Sequence, residues 1–135
     1  MNAASGVISG TPTLFGTFTF TVKLTDSQPL NVTSSTLTIV IDPPPLVVTS
    51  AGDLPAGKLN TDYSQQLGAS GGRTPYTWAL APGSGPLPGG LTLNASTGVI
   101  LGKPAATGLF TFTVKVTDAT PVSATSSAIN INVTP

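Results

Sequence analysis

The residues of this sequence best suited to chemistry are five aspartates, Asp26, Asp42, Asp53, Asp62 and Asp118, because the chain has no His, no Cys and no Glu. Two carboxylates could share general acid and base work, but nothing in the sequence brings two of them into one pocket. Calcium takes about six to eight oxygen ligands from clustered carboxylates, and the chain has no Asp-x-Asp pair. Asp26 and Asp118 each follow a strand-like run, where aspartate commonly accepts backbone hydrogen bonds in a turn. We therefore predict no enzymatic activity, no metal site and no cofactor.

Two other candidate sites have a structural interpretation. Trp78 and Tyr76 could stack on a sugar, but Tyr76, Trp78 and Leu80 alternate with polar or small residues and so share one strand face. That pattern favours a core tryptophan. Lys23 and Lys115 could each form an isopeptide bond with an asparagine, but the same alternation places them on the Thr-rich face, away from the core.

Composition excludes further functions. Charged residues are 7% of the chain, against about 25% in an ordinary domain. Five basic residues and a net charge of zero cannot form a phosphate-binding surface, so we expect no nucleic-acid partner. The apolar runs are too short to cross a membrane, so we expect no membrane insertion. A Cys-free chain rich in Thr and Ser fits an extracellular or cell-surface location on a bacterium.

The elements that must position these residues are short β-strands. Apolar and polar residues alternate in the runs 18–24, 37–41, 76–80, 110–116 and 129–133. Gly and Pro pairs separate the runs, and no window shows helical periodicity. We predict an all-β fold, an antiparallel β-sandwich of about seven strands.

The sequence also repeats itself. Residues 2–43 align with residues 94–135 at an offset of 92 without a gap, and 22 of the 42 positions are identical. A period of this size matches one sandwich domain. We therefore predict the C-terminal half of a preceding repeat at residues 1–42 and one complete repeat at 43–135, with the Pro-rich Asp42–Pro45 as the linker.

Specific motifs extend this picture. Residues 54–133 contain Leu-Pro-Ala-Gly at 54–57, Pro-Tyr-Thr-Trp at 75–78, Ser-Thr-Gly-Val-Ile at 96–100 and Phe-Thr-Val-Lys-Val-Thr-Asp at 112–118. With these motifs the chain resembles the immunoglobulin-like repeat of bacterial surface proteins known as He_PIG, in the cadherin-like and immunoglobulin-like sandwich group. The resemblance implies tandem arrays and parallel first and last strands. It implies no enzymatic activity.

Residues 1–42 are a half-repeat without its partner half. The linker spans about 12 Å, whereas a strand is about 25–30 Å long, so this half is not expected to close onto residues 43–93 of the same chain. Its apolar face would then be uncovered and would drive self-association. The residues of that face are Phe18, Phe20, Val22, Leu37, Ile39 and Ile41.

Three functions fit the sequence. The first is a non-enzymatic extracellular structural or adhesion module, a spacer or stalk whose partners are other Ig-like repeats. The second is a module that binds a surface glycan or a protein through turns such as Ser70–Pro75 or Ala81–Gly90. The third is a fibre subunit whose copies assemble by strand complementation through residues 1–42.

Overall fold

The computed structural model describes residues 1–135 and divides the chain into two compact units, Met1–Pro43 and Pro44–Pro135. Both units consist of short β-strands joined by turns, without helices. No segment thus forms a helix with the length and hydropathy needed to span a membrane. The predicted all-β class is confirmed.

The smaller unit consists of two antiparallel strand pairs. Its strands are β1 (Gly16–Phe20), β2 (Lys23–Thr25), β3 (Asn31–Thr33) and β4 (Leu37–Ile41). β1 pairs with β4, with Gly16 opposite Ile41, and β2 pairs with β3. Asp26 closes the turn after β2 by accepting hydrogen bonds from the amides of Gln28 and Leu30, at 2.8 and 2.9 Å. This is the turn role that the sequence predicts for Asp26.

The larger unit has more strands than the seven or so predicted, because several runs are split. Its strands are β5 (Val47–Val48), β6 (Gly52–Asp53), β7 (Gly57–Lys58), β8 (Tyr63–Gln66), β9 (Ala69–Ser70), β10 (Thr77–Leu80), β11 (Leu91–Leu93), β12 (Val99–Gly102), β13 (Gly108–Phe112), β14 (Val114–Thr117), β15 (Ser123–Thr125) and β16 (Ile129–Thr134). They form the sheets β10–β14–β15, β11–β12–β8 and β13–β16–β6, with β7 also on β16, and the pair β5–β9.

The split between β13 and β14 shows why the number of strands rises. The chain leaves one sheet and enters another at Thr113, because β13 pairs with β16 whereas β14 pairs with β10 and β15. The Thr113 amide donates to Ser84 Oγ, and its carbonyl accepts from the Ala81 amide, both at 2.9 Å. The alternation of apolar and polar residues continues across this break, so the sequence predicts one strand where the structure has two.

The core of the larger unit is formed by apolar side chains from both halves of the repeat. Its buried members are Leu46, Tyr63, Leu67, Trp78, Leu91, Ile100, Phe112, Val114, Val116, Ile129, Ile131 and Val133. The last six belong to the alternating runs, and this confirms which face of each run points inward. Leu80 lies on the same strand face as Trp78, opposite Val114, but at the end of β10 it remains 37% exposed.

The last strand of the larger unit runs parallel to the early strands β6 and β7, whereas the first strand, β5, pairs antiparallel with β9. β16 pairs in parallel with β6, where Ile129 lies opposite Gly52, and then with β7. Between these two ladders the Leu54 amide donates to the Asn130 carbonyl at 2.9 Å. The single last strand, β16, therefore pairs with two separate early strands, β6 and β7.

The internal repeat is also a structural repeat. In the smaller unit Lys23 lies opposite Thr33, and in the larger unit Lys115 lies opposite Thr125. The pairing of β1 with β4 recurs in that of β13 with β16, again at an offset of 92. Residues 16–41 and 108–133 thus form the same two strand pairs in the same register.

Candidate functional site

The aspartates are dispersed, and all except Asp42 form a side-chain contact. Among the described residues 1–135, no three His, Cys, Asp or Glu side chains come together in a way that could hold a metal ion. Asp53 accepts a hydrogen bond from Asn130 Nδ2 at 2.8 Å. Asp62 forms an ion pair with Lys103 at 3.7 Å, and Asp42 is exposed.

Asp118 has a structural role as a clamp between distant segments. Its Oδ1 accepts from the amides of Thr120 and Val122 in its own turn, and its Oδ2 accepts from the Arg73 amide at 2.9 Å. Burial alone would raise the pKa of Asp118, but these hydrogen bonds to the charged form outweigh it and lower the pKa below its usual value. The carboxylate therefore joins the turn after β14 to the loop before β10.

The aromatic residues are structural, as predicted for Trp78. The Trp78 side chain is 5% exposed and covers Gly98, where a Cβ atom would lie 2.7 Å from the indole ring. The Tyr76 hydroxyl donates to the Gly71 carbonyl at 2.5 Å. Tyr76 is partly buried and packs against the core. The buried Trp78 ring therefore offers no free stacking surface for a sugar.

The two turns considered for ligand binding use several of their polar groups internally. In Ser70–Pro75, the Gly72 amide donates to the Pro44 carbonyl at 2.8 Å. In Ala81–Gly90, the Ser84 hydroxyl donates to the Gly85 carbonyl at 2.7 Å. The first contact joins its turn to the segment before β5, and the Thr113 amide, which donates to Ser84 Oγ at 2.9 Å, joins the second turn to the break between β13 and β14.

A depression lined by three polar and three apolar residues lies on the outer side of the sheet containing β16. It has a volume of about 430 Å³ and is lined by Asp53, Leu54, Ala56, Leu109, Asn130 and Asn132. Asn130 is already engaged, because its Nδ2 donates to Asp53 and its Oδ1 accepts from Thr111 Oγ1 at 2.8 Å. Asn132, which is exposed, makes none of these side-chain contacts.

The predicted apolar face of residues 1–43 is uncovered in the structure. Phe18 and Leu37 are 43% and 40% exposed, whereas Ile129, the counterpart of Leu37, is 0% exposed. The other four predicted residues are partly exposed, whereas their counterparts are all buried. Those four are Phe20, Val22, Ile39 and Ile41, which correspond to Phe112, Val114, Ile131 and Val133.

Two shallow apolar depressions of about 320 and 290 Å³ lie on this face and share Ile39. The first is lined by Met1, Ile8, Phe20, Thr21, Val22 and Ile39. The second is lined by Pro12, Thr13, Leu14, Phe18, Ile39 and Ile41. The structure thus brings together five of the six predicted residues, and Leu37 lines neither depression.

Ile8 is a member of this face that pattern analysis missed. It is 51% exposed and lies in a segment without alternation, so no strand signal marks it. Its counterpart Ile100 is 0% exposed at the centre of the larger core. The alignment of the two repeats was the signal that could have identified it.

The same unit has unpaired backbone edges. In the larger unit, residues 99–102 form β12 and pair with β8 and β11. The corresponding residues 7–10 form no strand. Likewise β14 pairs on both sides, whereas β2 pairs only with β3. The uncovered face is therefore bordered by backbone groups that could accept added strands.

Comparison with known proteins gives a family and a fold. The model of the He_PIG family, described as "Putative Ig domain", matches residues 1–42 and again residues 44–134. No curated protein matches the sequence.

Solved structures show the same kind of domain. One is a "putative alpha-galactosidase" from Bacteroides fragilis, with 24% identity and a TM-score of 0.54 over 68% of this chain and 17% of that chain. Another comprises protocadherin gamma B7 extracellular cadherin domains 1–4, with 16% identity and a TM-score of 0.50 over 87% of this chain and 32% of that chain. This chain thus spans a third or less of those chains. The likeness shows the fold, an Ig-like and cadherin-like sandwich.

Proposed function

The chain belongs to the He_PIG family of immunoglobulin-like domains, and we propose that it serves as a spacer or stalk in an extracellular tandem array. Ig-like and cadherin-like domains are usually extracellular and typically non-catalytic, and this supports a structural or adhesion module in general. The observation that carries the finer proposal is the recurrence of the same strand pairs in the same register, at residues 16–41 and 108–133. The partners in such an array are other Ig-like repeats, on the surface of a bacterial cell.

A calcium titration distinguishes between two kinds of array. One is a metal-independent spacer, and the other is an array that calcium stiffens, an alternative raised by the cadherin-like fold. Because the carboxylates are dispersed, we expect the melting temperature to be the same with millimolar calcium and with chelator. A melting temperature that rises with calcium would contradict a metal-independent spacer.

A glycan array tests the alternative that the module binds carbohydrate. A pure spacer gives no signal above background. If a glycan binds, Asn132→Ala tests the depression beside β16, with exposed Leu101→Ala as the control on another sheet. Binding that is lost only in Asn132→Ala would replace the spacer proposal with a binding module.

A second candidate function, a self-assembling subunit, is favoured by the uncovered apolar face of residues 1–43. Light scattering over a range of concentrations tests it, and we expect a mass that rises above 13.5 kDa. The double variant Phe18→Thr/Ile39→Thr removes apolar area and keeps β-propensity, so it should reduce association. Leu109→Thr changes a 67% exposed residue of the larger unit and is the control. A monodisperse monomer with residues 1–43 well ordered would contradict this function.

A further inference from the structure

We propose that the turn at Gly71 and Gly72 holds the Pro-rich linker against the larger unit, so that the joint between consecutive repeats is confined to Asp42 and Pro43 and is stiff. The inference rests on the proposed spacer function and specifies where a spacer of this kind can bend. It divides the predicted linker Asp42–Pro45 into a joint of two residues and a fixed segment of two residues.

The fixed segment, Pro44 and Pro45, is held at its carbonyl groups. The Gly72 amide donates to the Pro44 carbonyl at 2.8 Å. A Cβ atom on Gly71 would collide with the Pro45 carbonyl and would lie 2.8 Å from the Pro44 oxygen, so this glycine lies directly against the linker backbone. In agreement with these contacts, the division between the two compact units falls after Pro43, and Pro44 belongs to the larger unit.

The same contact continues beyond the linker. Leu46 is buried in the core, and β5, which follows it, pairs antiparallel with β9. The Thr49 amide then donates to the Gly68 carbonyl at 2.9 Å. The fixed segment is therefore the first part of a continuous contact between residues 44–49 and residues 68–72, and it is anchored by the strand pair that comes after it.

The turn that receives the linker is itself held in place. Asp118 Oδ2 accepts from the Arg73 amide at 2.9 Å, and the Ala119 amide donates to the Arg73 carbonyl at the same distance. A Cβ atom on Gly72 would lie 2.7 Å from Asp118 Oδ2, so the carboxylate packs directly on the turn. The turn cannot move away from the rest of the larger unit without breaking these hydrogen bonds.

Only two residues remain between the anchored parts of the chain. Ile41 ends β4, where it lies opposite Gly16, and Pro44 is the first residue that the turn holds. Between them, the ring of Pro43 fixes its φ at about −65°. Asp42 and Pro43 each precede a proline, a position that disfavours the helical region and favours extended backbone. Two extended residues span about 7 Å, so the joint is short and few of its torsions are free.

Relaxation of the proline nitrogens in the full chain tests the fixed segment. Carbon-detected spectra give order parameters for residues that have no amide proton. For Pro44 and Pro45 we expect values of about 0.85, which are typical of rigid backbone. Values below about 0.6 at both residues, which are typical of flexible backbone, would overturn the proposal.

Two glycines with the same φ provide matched variants. Gly71 and Gly83 both have a φ of +76°, so alanine carries the same backbone strain at either position. A Cβ atom would meet the linker only at Gly71, since nothing lies within 4 Å at Gly83. Gly71→Ala should lower the order parameters of Pro44 and Pro45 below about 0.6. It should also speed exchange of the Gly72 amide by on the order of 10-fold, whereas Gly83→Ala should change that rate by less than about twofold.

A third variant tests the joint separately. Pro44→Ala keeps the backbone carbonyl that accepts from the Gly72 amide but removes the ring that restricts Pro43. We expect the order parameter of Pro43 to fall, while exchange at Gly72 stays within about twofold of its original rate. An unchanged order parameter at Pro43 would overturn the claim that the prolines stiffen the joint.

The outcomes are distinct. If Gly71→Ala and Gly83→Ala behave alike while Trp78 fluorescence shows the larger unit to be folded in both, the turn does not hold the linker and the proposal is overturned. If Gly71→Ala unfolds the larger unit, the order parameters of Pro44 and Pro45 in the original chain still decide. The spacer proposal fails on different evidence, namely calcium-dependent melting or glycan binding.

Discussion

Phe112 and Phe20 hold the same position in two copies of one strand pair, yet Phe112 is 1% exposed and Phe20 remains partly exposed. The backbone is not the cause, because Phe112 lies opposite Ile129 just as Phe20 lies opposite Leu37. The comparison therefore separates two contributions to this fold. The strand pairs depend on their own sequence, whereas burial depends on residues 44–93.

Substitution of Phe112 and of Phe20 by alanine should give the largest difference in the free energy of unfolding between matched positions of the two units. Phe112→Ala should lower the free energy of unfolding of the larger unit by about 3–5 kcal/mol, because it leaves a cavity in the core. Phe20→Ala should change that transition by less than about 0.5 kcal/mol, as expected of a site away from this core. Trp78 is the only tryptophan, so its fluorescence in a denaturant titration reports on the larger unit. Equal losses in both variants would show that the two units unfold as one.

Substitution of Ser126 and of Ser34 by alanine should give the next largest difference between the two units. The Val114 amide donates to Ser126 Oγ, and the Val22 amide donates to Ser34 Oγ, both at 2.9 Å. Ser126→Ala leaves a buried amide without a partner and should cost about 1–3 kcal/mol, since water cannot replace the hydroxyl.

Ser34→Ala is the matched change in the smaller unit, where Ser34 is only partly buried. Water can reach the Val22 amide there, so exchange at this amide should change little. If exchange at Val22 and Val114 responded equally to the two substitutions, burial would not be what distinguishes the copies.

A pH titration sharpens the comparison at Asp118 and Asp26. The folded-state pKa of Asp118 is lowered, so the unfolded chain binds more protons and the carboxylate stabilises the fold above its unfolded pKa, about 3.9. That contribution falls as the pH drops below about 4 through the folded pKa. Asp118→Asn should therefore flatten the acid side of a plot of melting temperature against pH.

Asp26→Asn is the control, because Asp26 bonds only to amides of its own turn whereas Asp118 also holds Arg73. We expect this variant to leave the acid side of the plot for the larger unit unchanged. An unaltered acid side in Asp118→Asn would mean that another group causes the acid sensitivity.

The smallest expected effect concerns the ion pair between Asp62 and Lys103. Position 11, the counterpart of Lys103, is a threonine, so the smaller unit has no counterpart of this ion pair. The side chains of Lys103 and Asp62 are 61% and 87% exposed. Asp62→Asn should therefore lower stability by at most about 1 kcal/mol. A loss larger than this that disappears in high salt would give charge a stabilising role that we assign to apolar burial.

The alternation of apolar and polar residues predicted the strands and the faces that point inward. It could do so because the burial of every second residue in a strand is a local property of the chain. It predicted the faces of Phe112, Val114 and Ile131 correctly. It could not reveal the break at Thr113, because the alternation continues while the partner strands change. Nor could it reveal the link from Asp118 to Arg73, which joins residues 45 positions apart.

The candidate site was predictable only in part. The six side chains of the uncovered face were predicted from the alternation of apolar and polar residues and from the lack of a partner half for residues 1–42. The contribution of Ile8 follows only from its alignment with Ile100. The contact between Trp78 and Gly98 has no equivalent at Gly6, where a Cβ atom would meet nothing within 4 Å, and no residue pattern within 1–43 reveals this difference.

The parallel pairing of β6 and β7 with β16 has a mechanical consequence. Tension that is carried by β6 and β7 on one side and by β16 on the other pulls these neighbouring strands along their lengths in opposite directions. The ladder hydrogen bonds, among them those from the Gly52, Leu54 and Leu59 amides, are then loaded together in shear and are not opened one after another. Such a geometry raises the barrier to forced unfolding, which is governed by the unfolding rate and not by equilibrium stability. A module with few charges and a modest core can thus resist load through the direction of two strands.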